Sequence, residues 1–215
     1  MTRCANYDGD CAGHGGLACH DAAAVAGKER EMALSARVLR VRGQVADVDR
    51  GVYQDLDLRM AMHPSESPRY FWARLIAYCL QWEPGIAFSR GGLSSTEDPP
   101  LSVQDDTGIL RAWIDVGAPS ADRLNRASKA AGRVALYTWV DLALLTKEYA
   151  NKRVYRIADI AVWPLAPALM TALEPLIDRE IALELTRSDG RLYLGVGGQS
   201  IEADLQERRL IGEVA

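Results

Sequence analysis

The segment 109–119, ILRAWIDVGAP, constrains the fold of this chain more than any other stretch of its sequence. Its run of apolar residues is typical of a buried strand, and the Gly-Ala-Pro turn at 117–119 ends that strand. Because side chains alternate between the two faces of a strand, Trp113 and Asp115 share one face. A covered carboxylate is costly when it is unpaired, so we expect Asp115 to meet a basic partner, a metal ion or open solvent.

The remaining periodicity predicts strands and helices in an alternating order. A β-hairpin begins near Met32, and its second strand, VYQDLDLRMAM, alternates cleanly over 52–62. A second hairpin near the C-terminus has Asp189-Gly190 in its turn. With the helices between them, these elements predict the α/β class: a mixed central sheet flanked by helices, with N-terminal and C-terminal β-hairpins.

Residues 1–31 differ in composition from the rest, and we predict a boundary after them. They lack sustained periodicity, which predicts a disordered extension or sequence upstream of a true start at Met32. The alternative interpretation is a metal-binding tag, although its spacings match no common zinc pattern. Its ligands would be Cys4, Cys11, His14, Cys19 and His20. Residues 32–215 are predicted to form a single domain.

The net charge of −4 and the pI near 5.5 limit the classes of function. An acidic chain does not bind nucleic acid through bulk electrostatics, so any such contact needs a local basic stripe. No apolar stretch reaches the length of a transmembrane span, so we expect no membrane partner and a cytoplasmic location. Cys79 stands alone in a helical pattern, which indicates a small buried residue and no disulfide framework.

Acidic side chains are the candidate ligands for a divalent metal ion. Asp98 precedes Asp115 in a polar loop, and Glu66 lies where a helix begins after a cap at Ser65 or Ser67. Carboxylates that converge from adjacent strands can hold Mg²⁺, which polarises a phosphate and activates an attacking water. The alternatives are a solvated loop acid at Asp98, a carboxylate near the helix dipole at Glu66, and an ion pair or a water-facing edge position for Asp115.

Four basic residues follow Asp115 on a helix predicted from about Ser120. Helical spacing puts them within one arc, and no acidic residue lies between the first and the last. They are Arg123, Arg126, Lys129 and Arg133. Such a stripe is usually a solvated face, and its functional interpretation is contact with nucleic-acid phosphates beside the carboxylate site.

Three segments of the chain resemble the YaeQ family of bacterial proteins. The resemblance extends from Met32 to about Leu210, and its most specific runs are HPSE and WI-acid-VG-x-P. The segments are MALSARVLRVRGQVADVDRGVYQDLDLRMAMHPSES, FSRGGLSSTEDP and WIDVGAPSADRLNRASKAAGRVALYTW. The resemblance implies a fold like that of the PD-(D/E)XK nuclease superfamily, in which acids on neighbouring strands hold Mg²⁺.

The resemblance also implies a set of site residues. Asp115 matches the second acid of the superfamily motif, Asp98 is the acid nearest to the first position, and Glu66 matches a helix-start acid. The sequence departs from the motif at Gly117, where the motif has lysine, and at Pro99-Pro100, where Pro-Asp is expected.

Two functions are compatible with these residues. The first is Mg²⁺-dependent cleavage of nucleic-acid phosphodiester bonds, with Arg126 or Lys129 replacing the missing lysine and stabilising the charge that develops on the phosphate. The second, which the departures favour, is a catalytically degenerate module that binds nucleic acid or a protein partner.

Overall fold

A computed structural model describes residues 36–89 and 97–210 of this chain. The predicted boundary after residue 31 and the cysteines and histidines that precede it lie outside the described residues. None of the described helices is both long enough and apolar enough to span a membrane.

Strands from the two ends of the described chain form one five-stranded sheet, which we call the terminal sheet. Its order is β10-β9-β8-β1-β2. The strands are β1 (Arg37–Asp47), β2 (Val52–Met62), β8 (Glu180–Ser188), β9 (Arg191–Val196) and β10 (Gln199–Asp204). The two predicted hairpins, β1–β2 and β8–β9, are therefore confirmed, and they join through the parallel pair β1–β8.

A second, six-stranded sheet, which we call the central sheet, has the order β11-β7-β6-β5-β4-β3. Its strands are β3 (Ile86–Phe88), β4 (Leu101–Gln104), β5 (Leu110–Val116), β6 (Arg133–Thr138), β7 (Ala161–Pro164) and β11 (Arg208–Arg209). The prediction of mixed α/β architecture is confirmed, but the single mixed sheet was wrong, because within the described residues the hairpins build a sheet of their own.

Four α-helices lie in the described part of the chain: α1 (Pro68–Leu80), α2 (Ala121–Ala130), α3 (Leu142–Tyr149) and α4 (Pro167–Leu173). Of the two predicted caps for α1, Ser67 accepts the hydrogen bond from Tyr70 N. Helix α2 begins after Ser120, close to its predicted start, but it ends at Ala130. The predicted continuation of α2 to Arg133 was therefore wrong, and that residue opens β6 instead.

Two apolar clusters cover opposite faces of the central sheet. One joins Ile114 and Val116 of β5 to α1, α4 and the terminal sheet. The other joins Trp113 of β5 to α2 and α3. The predicted alternation of side chains along β5 is confirmed, and it directs Asp115 to the face that α2 covers.

At Gly43 the backbone of β8 lies too close to β1 to admit a side chain. A Cβ atom there would lie 1.7 Å from the carbonyl oxygen of Leu183, and the backbone φ is +150°. Only glycine avoids both the clash and the backbone strain. The parallel junction of the terminal sheet therefore depends on this one residue.

We predict that Gly43→Ala lowers the free energy of unfolding by about 3 kcal/mol or more, because the backbone must shift to admit the methyl group. The matched control is Gly51→Ala, which also has positive φ (+66°) but has nothing within 4 Å of the added atom. The control should cost only about 1–2 kcal/mol of backbone strain. Urea denaturation of both variants measures the difference, and equal losses would contradict a packing role for Gly43.

Candidate functional site

Asp115 is almost completely buried, with a relative exposure of 2%. Its Oδ1 accepts a hydrogen bond from Val116 N (3.1 Å), and its Oδ2 accepts one from Trp113 Nε1 (3.1 Å) and one from Arg123 Nε (2.7 Å). Three protein donors therefore satisfy this carboxylate, and one of them carries a full positive charge. Of the compensations expected from the sequence, the basic partner is the one observed.

Arg123 reaches Asp115 from the first turn of α2. Ser120 caps the helix by accepting a hydrogen bond from Arg123 N (3.3 Å), and side chains of a helix point back toward its N-terminus. The guanidinium also donates through Nη2 to the carbonyl oxygen of Asp98 (2.9 Å) and lies 5.5 Å from the centre of the Trp113 ring. One arginine thus connects α2, β5 and the segment that leads into β4.

The remaining members of the predicted basic stripe lie elsewhere. Arg126 forms an ion pair with Glu97 (2.5 Å), on the exposed side of α2. Lys129 is exposed in the last turn of that helix. Arg133 forms bonds to Gln81 and Glu83, just beyond α1. The structure therefore brings Arg123 to Asp115, while Arg126 and Lys129 form no hydrogen bond or ion pair with that carboxylate among the described residues.

Glu66 forms a second buried ion pair. Arg74 donates to both of its carboxylate oxygens, from Nε to Oε1 (2.8 Å) and from Nη2 to Oε2 (3.0 Å). The His63 amide adds a third donor at 3.1 Å, and the exposure of Glu66 is 5%. Like Asp115, Glu66 is satisfied by arginine and backbone donors. The sequence interpretation missed Arg74, although a charged residue inside the apolar stripe of α1 is a detectable signal.

The charges of both ion pairs affect the pKa of Tyr70 in α1. Burial, and to a smaller extent the carboxylate of Asp115, raises its pKa to about 12 against the opposing charges of Arg74 and Arg123. Its ring meets Trp139 edge-on, with centroids 6.5 Å apart. We call the four residues of the two buried ion pairs the arginine-neutralised site: Glu66, Arg74, Asp115 and Arg123.

Gly117 has a backbone φ of +87°, which side-chain-bearing residues rarely adopt. Its amide donates to the carbonyl oxygen of Tyr137 (2.8 Å), so the conformation is held by the neighbouring strand. A lysine here would be strained even though the nearest atom to an added Cβ, on Trp139, is 3.5 Å away. Glycine at 117 is therefore favoured by the backbone conformation of the turn that follows β5.

The carboxylates of the site lie in two separate ion pairs. Among residues 36–89 and 97–210, no three side chains of Asp, Glu, His or Cys converge as a group that could bind a metal. The structure brings Asp115 together with the backbone of Asp98 through Arg123. The Glu66 oxygens are directed to Arg74 instead.

Fold and site together define the class: a two-sheet α/β protein with buried carboxylates paired to arginines. Residues 32–205 match the family model described as YaeQ protein. The chain belongs to the YaeQ family.

Relatives and solved structures agree with this assignment. The chain is 29% identical to the uncharacterized protein YaeQ of Escherichia coli K12 over 175 residues, which cover 81% of this chain and 96% of the relative. Its similarity to the YaeQ protein of Salmonella typhi has the same identity and extent. It resembles the crystal structure of YaeQ from Xanthomonas axonopodis pv. citri with a TM-score of 0.75 at 29% identity, over 81% of this chain and 99% of that one. The crystal structure of YaeQ protein from Pseudomonas syringae matches with a TM-score of 0.73 at 27% identity, over 83% of this chain and 97% of that one.

We predict that Arg123→Met lowers the free energy of unfolding by about 3–5 kcal/mol, because it leaves the Asp115 carboxylate buried without a counter-charge. Arg126→Met is the matched control, since it removes the same group from an exposed pair one turn away and should cost less than about 1 kcal/mol. Chemical denaturation at pH 7 measures both. Similar losses in the two variants would show that the Asp115 pair is not a structural requirement.

Proposed function

We propose that this chain is a nucleic-acid-binding module without a catalytic metal ion. The observation that carries the proposal is that Arg123 and two neutral donors already satisfy the Asp115 carboxylate. A divalent ion at Asp115 would have to displace Arg123, which would leave a largely buried guanidinium without its partner. The Asp115–Arg123 ion pair therefore fixes α2 against β5.

The proposed nucleic-acid-binding surface includes the side of α2 that is exposed to solvent. Arg126 and Lys129 are exposed there, and the segment 151–156 packs alongside. Tyr155 N donates to the side chain of Asn125 (3.1 Å), and Arg156 donates to the carbonyl oxygens of Ser128 and Ala131 (2.8 and 2.9 Å). We define the basic surface as the following exposed residues: Arg126, Lys129, Lys152, Arg153, Tyr155 and Arg156.

The composition of the basic surface suits a single strand of nucleic acid. Lys129 and Arg153 form no salt bridge with any described residue, so both charges are available to phosphates. Tyr155 is 53% exposed, and its ring lies 5.1 Å from the Arg156 guanidinium. Proteins that bind single strands combine basic grooves with aromatic rings on which bases stack.

Mg²⁺-dependent cleavage, the activity that the nuclease-superfamily resemblance implies, is the second candidate function. One observation favours it: Arg123 bonds to both Asp115 and the backbone of Asp98, so the two acids expected to share an ion belong to neighbouring segments. On this proposal Asp115 and Asp98 would hold the ion in place of Arg123, and the ion would supply polarisation of the phosphate.

The binding proposal predicts a specific change in salt dependence. Fluorescence anisotropy with a labelled single-stranded oligonucleotide should give weaker binding for Lys129→Gln/Arg153→Gln. The slope of log K against log salt should fall by about 1.4, since each lost phosphate contact removes about 0.7 for a single strand. The control, Arg42→Gln/Arg191→Gln, removes two exposed charges from the terminal sheet and should leave the slope unchanged. Identical slopes in all three proteins would contradict the proposed surface.

A thermal-shift titration separates the two candidate functions. A ligand that binds the native state raises its stability by mass action. The binding-module proposal predicts that Mg²⁺ and Mn²⁺ leave the Tm of the wild-type protein at the value of an ionic-strength-matched NaCl control. A rise that Asp115→Asn abolishes, and that the exposed-loop variant Asp106→Asn retains, would overturn this proposal and support cleavage. Assays of single- and double-stranded DNA and RNA with the same variants test cleavage directly.

A further inference from the structure

The strand β2 forms one edge of the terminal sheet. It pairs with β1 on one side, and on its outer side no strand of the described part of the chain pairs with it. It is eleven residues long, and it pairs with β1 over that whole length without a bulge. Its sequence, VYQDLDLRMAM, contains neither proline nor glycine. Long, regular edge strands are templates for pairing with another chain, and proteins usually interrupt or cover them. We propose that β2 is the interface with a second copy of this chain.

The backbone bonds of β1 show which β2 groups point outward. Arg40 N donates to Arg179 O, and Val48 N donates to Arg187 O, so the even-numbered residues of β1 turn toward β8. Its odd-numbered residues therefore turn toward β2, where they lie opposite even-numbered partners. The odd-numbered residues of β2 direct their amides and carbonyls to the free edge. These residues are Tyr53, Asp55, Asp57, Arg59 and Ala61.

Charges along this edge are unbalanced within a single copy. Arg59 lies directly opposite Arg40 across the β1–β2 pair, which is an unfavourable arrangement of like charges. Asp57 compensates Arg40 through two hydrogen bonds of 2.9 and 2.7 Å. Arg59 forms no salt bridge with any described residue. Its guanidinium therefore lies exposed beside a free strand edge, and the carboxylate that it influences, Asp57, is hydrogen-bonded to Arg40.

A two-fold antiparallel pairing supplies that partner in one register. When Leu58 lies on the symmetry axis, Asp57 of each copy stands opposite Arg59 of the other, and both residues direct their backbone groups into the new ladder. An axis at Leu56 would instead oppose Asp55 to Asp57, which repel. An axis at Met60 would oppose Arg59 to Ala61 and leave its charge unmatched. An axis at Asp57 would oppose Asp55 to Arg59 but would also set the two copies of Asp57 directly against each other. Among these registers, only the Leu58 axis opposes unlike charges without a directly opposed pair of like charges.

The apolar face of the same strand agrees with this register. Leu58 is only partly buried at the edge of the core, and its copy would cover it across the axis. Two outward carbonyls, those of Asp55 and Ala61, already accept side-chain hydrogen bonds from Gln54 and Arg74 (2.9 Å each). The strongest pairing is therefore expected over residues 57–59, at the centre of the interface. The product is a continuous sheet that joins two terminal sheets.

Charged residues on an edge strand can instead prevent pairing. Charged residues prevent edge-to-edge pairing when like charges would face each other. In the Leu58 register, opposite charges face each other at two places. The two interpretations therefore predict opposite responses to reversing one charge. Arg59→Asp is the informative variant, because in the single copy it places a carboxylate opposite Arg40 and should not weaken the fold.

Size-exclusion chromatography with light scattering on the full chain, over a series of dilutions, tests the proposal. The wild-type protein should be dimeric at high concentration. Arg59→Asp should raise the dimer Kd by about tenfold or more, since two attractive pairs become repulsive. The double variant Asp57→Arg/Arg59→Asp exchanges the two charges and should restore the dimer, because each copy again sets a cation opposite an anion.

Arg191→Asp, on the solvent-exposed face of β9 away from the edge, is the control and should leave the Kd unchanged. Circular dichroism melts of each variant confirm folding. A wild-type protein that remains monomeric at every concentration would overturn the proposal. So would a dimer whose Kd is insensitive to Arg59→Asp, since that dimer must use another surface.

Discussion

The pair between Asp115 and Arg123 is the interaction on which the arrangement of the central sheet and α2 depends. A carboxylate on a covered strand must be neutralised where it lies, because the protein interior solvates it poorly. Arg123 provides the neutralising charge and simultaneously binds the backbone before β4. Removing either partner would leave a buried charge, so sequence changes at one position are constrained by the other. The ion pair thus fixes how α2 lies across β5.

Glu66 and Arg74 form a second buried ion pair, on the face of the central sheet that α1 covers. Arg74 also donates to the Ala61 carbonyl, so this pair attaches the helix to the terminal sheet. Buried ion pairs are weak contributors to net stability, but they penalise alternative packings strongly. Each pair attaches one helix to a neighbouring strand, while the apolar clusters supply most of the folding free energy.

Local sequence patterns predicted the parts of this fold that depend on local physics. Alternation in β2 and β5, the apolar stripe of α1 and the serine caps all rest on interactions within a few residues, and the structure has them. The pairing of β1 with β8 depends on residues about 140 positions apart, and no short-range pattern encodes it. The choice of Arg123 over Arg126 likewise depends on the position of the first turn of α2 relative to Asp115. The sequence placed four basic residues on one side of a predicted helix. Which of them reaches β5 depends on the residue at which the helix begins.

Gly117 and Arg123 are best understood as two parts of one local structure. The positive φ at Gly117 turns the chain sharply after β5, and three residues later Ser120 caps α2. That short connection sets the first turn of α2 close to the end of β5, within reach of Asp115 for an arginine side chain. The backbone conformation of Gly117 therefore brings α2, and with it Arg123, to the Asp115 carboxylate. Any side chain at 117 would strain the turn on which this approach depends, because residues other than glycine rarely adopt its positive φ.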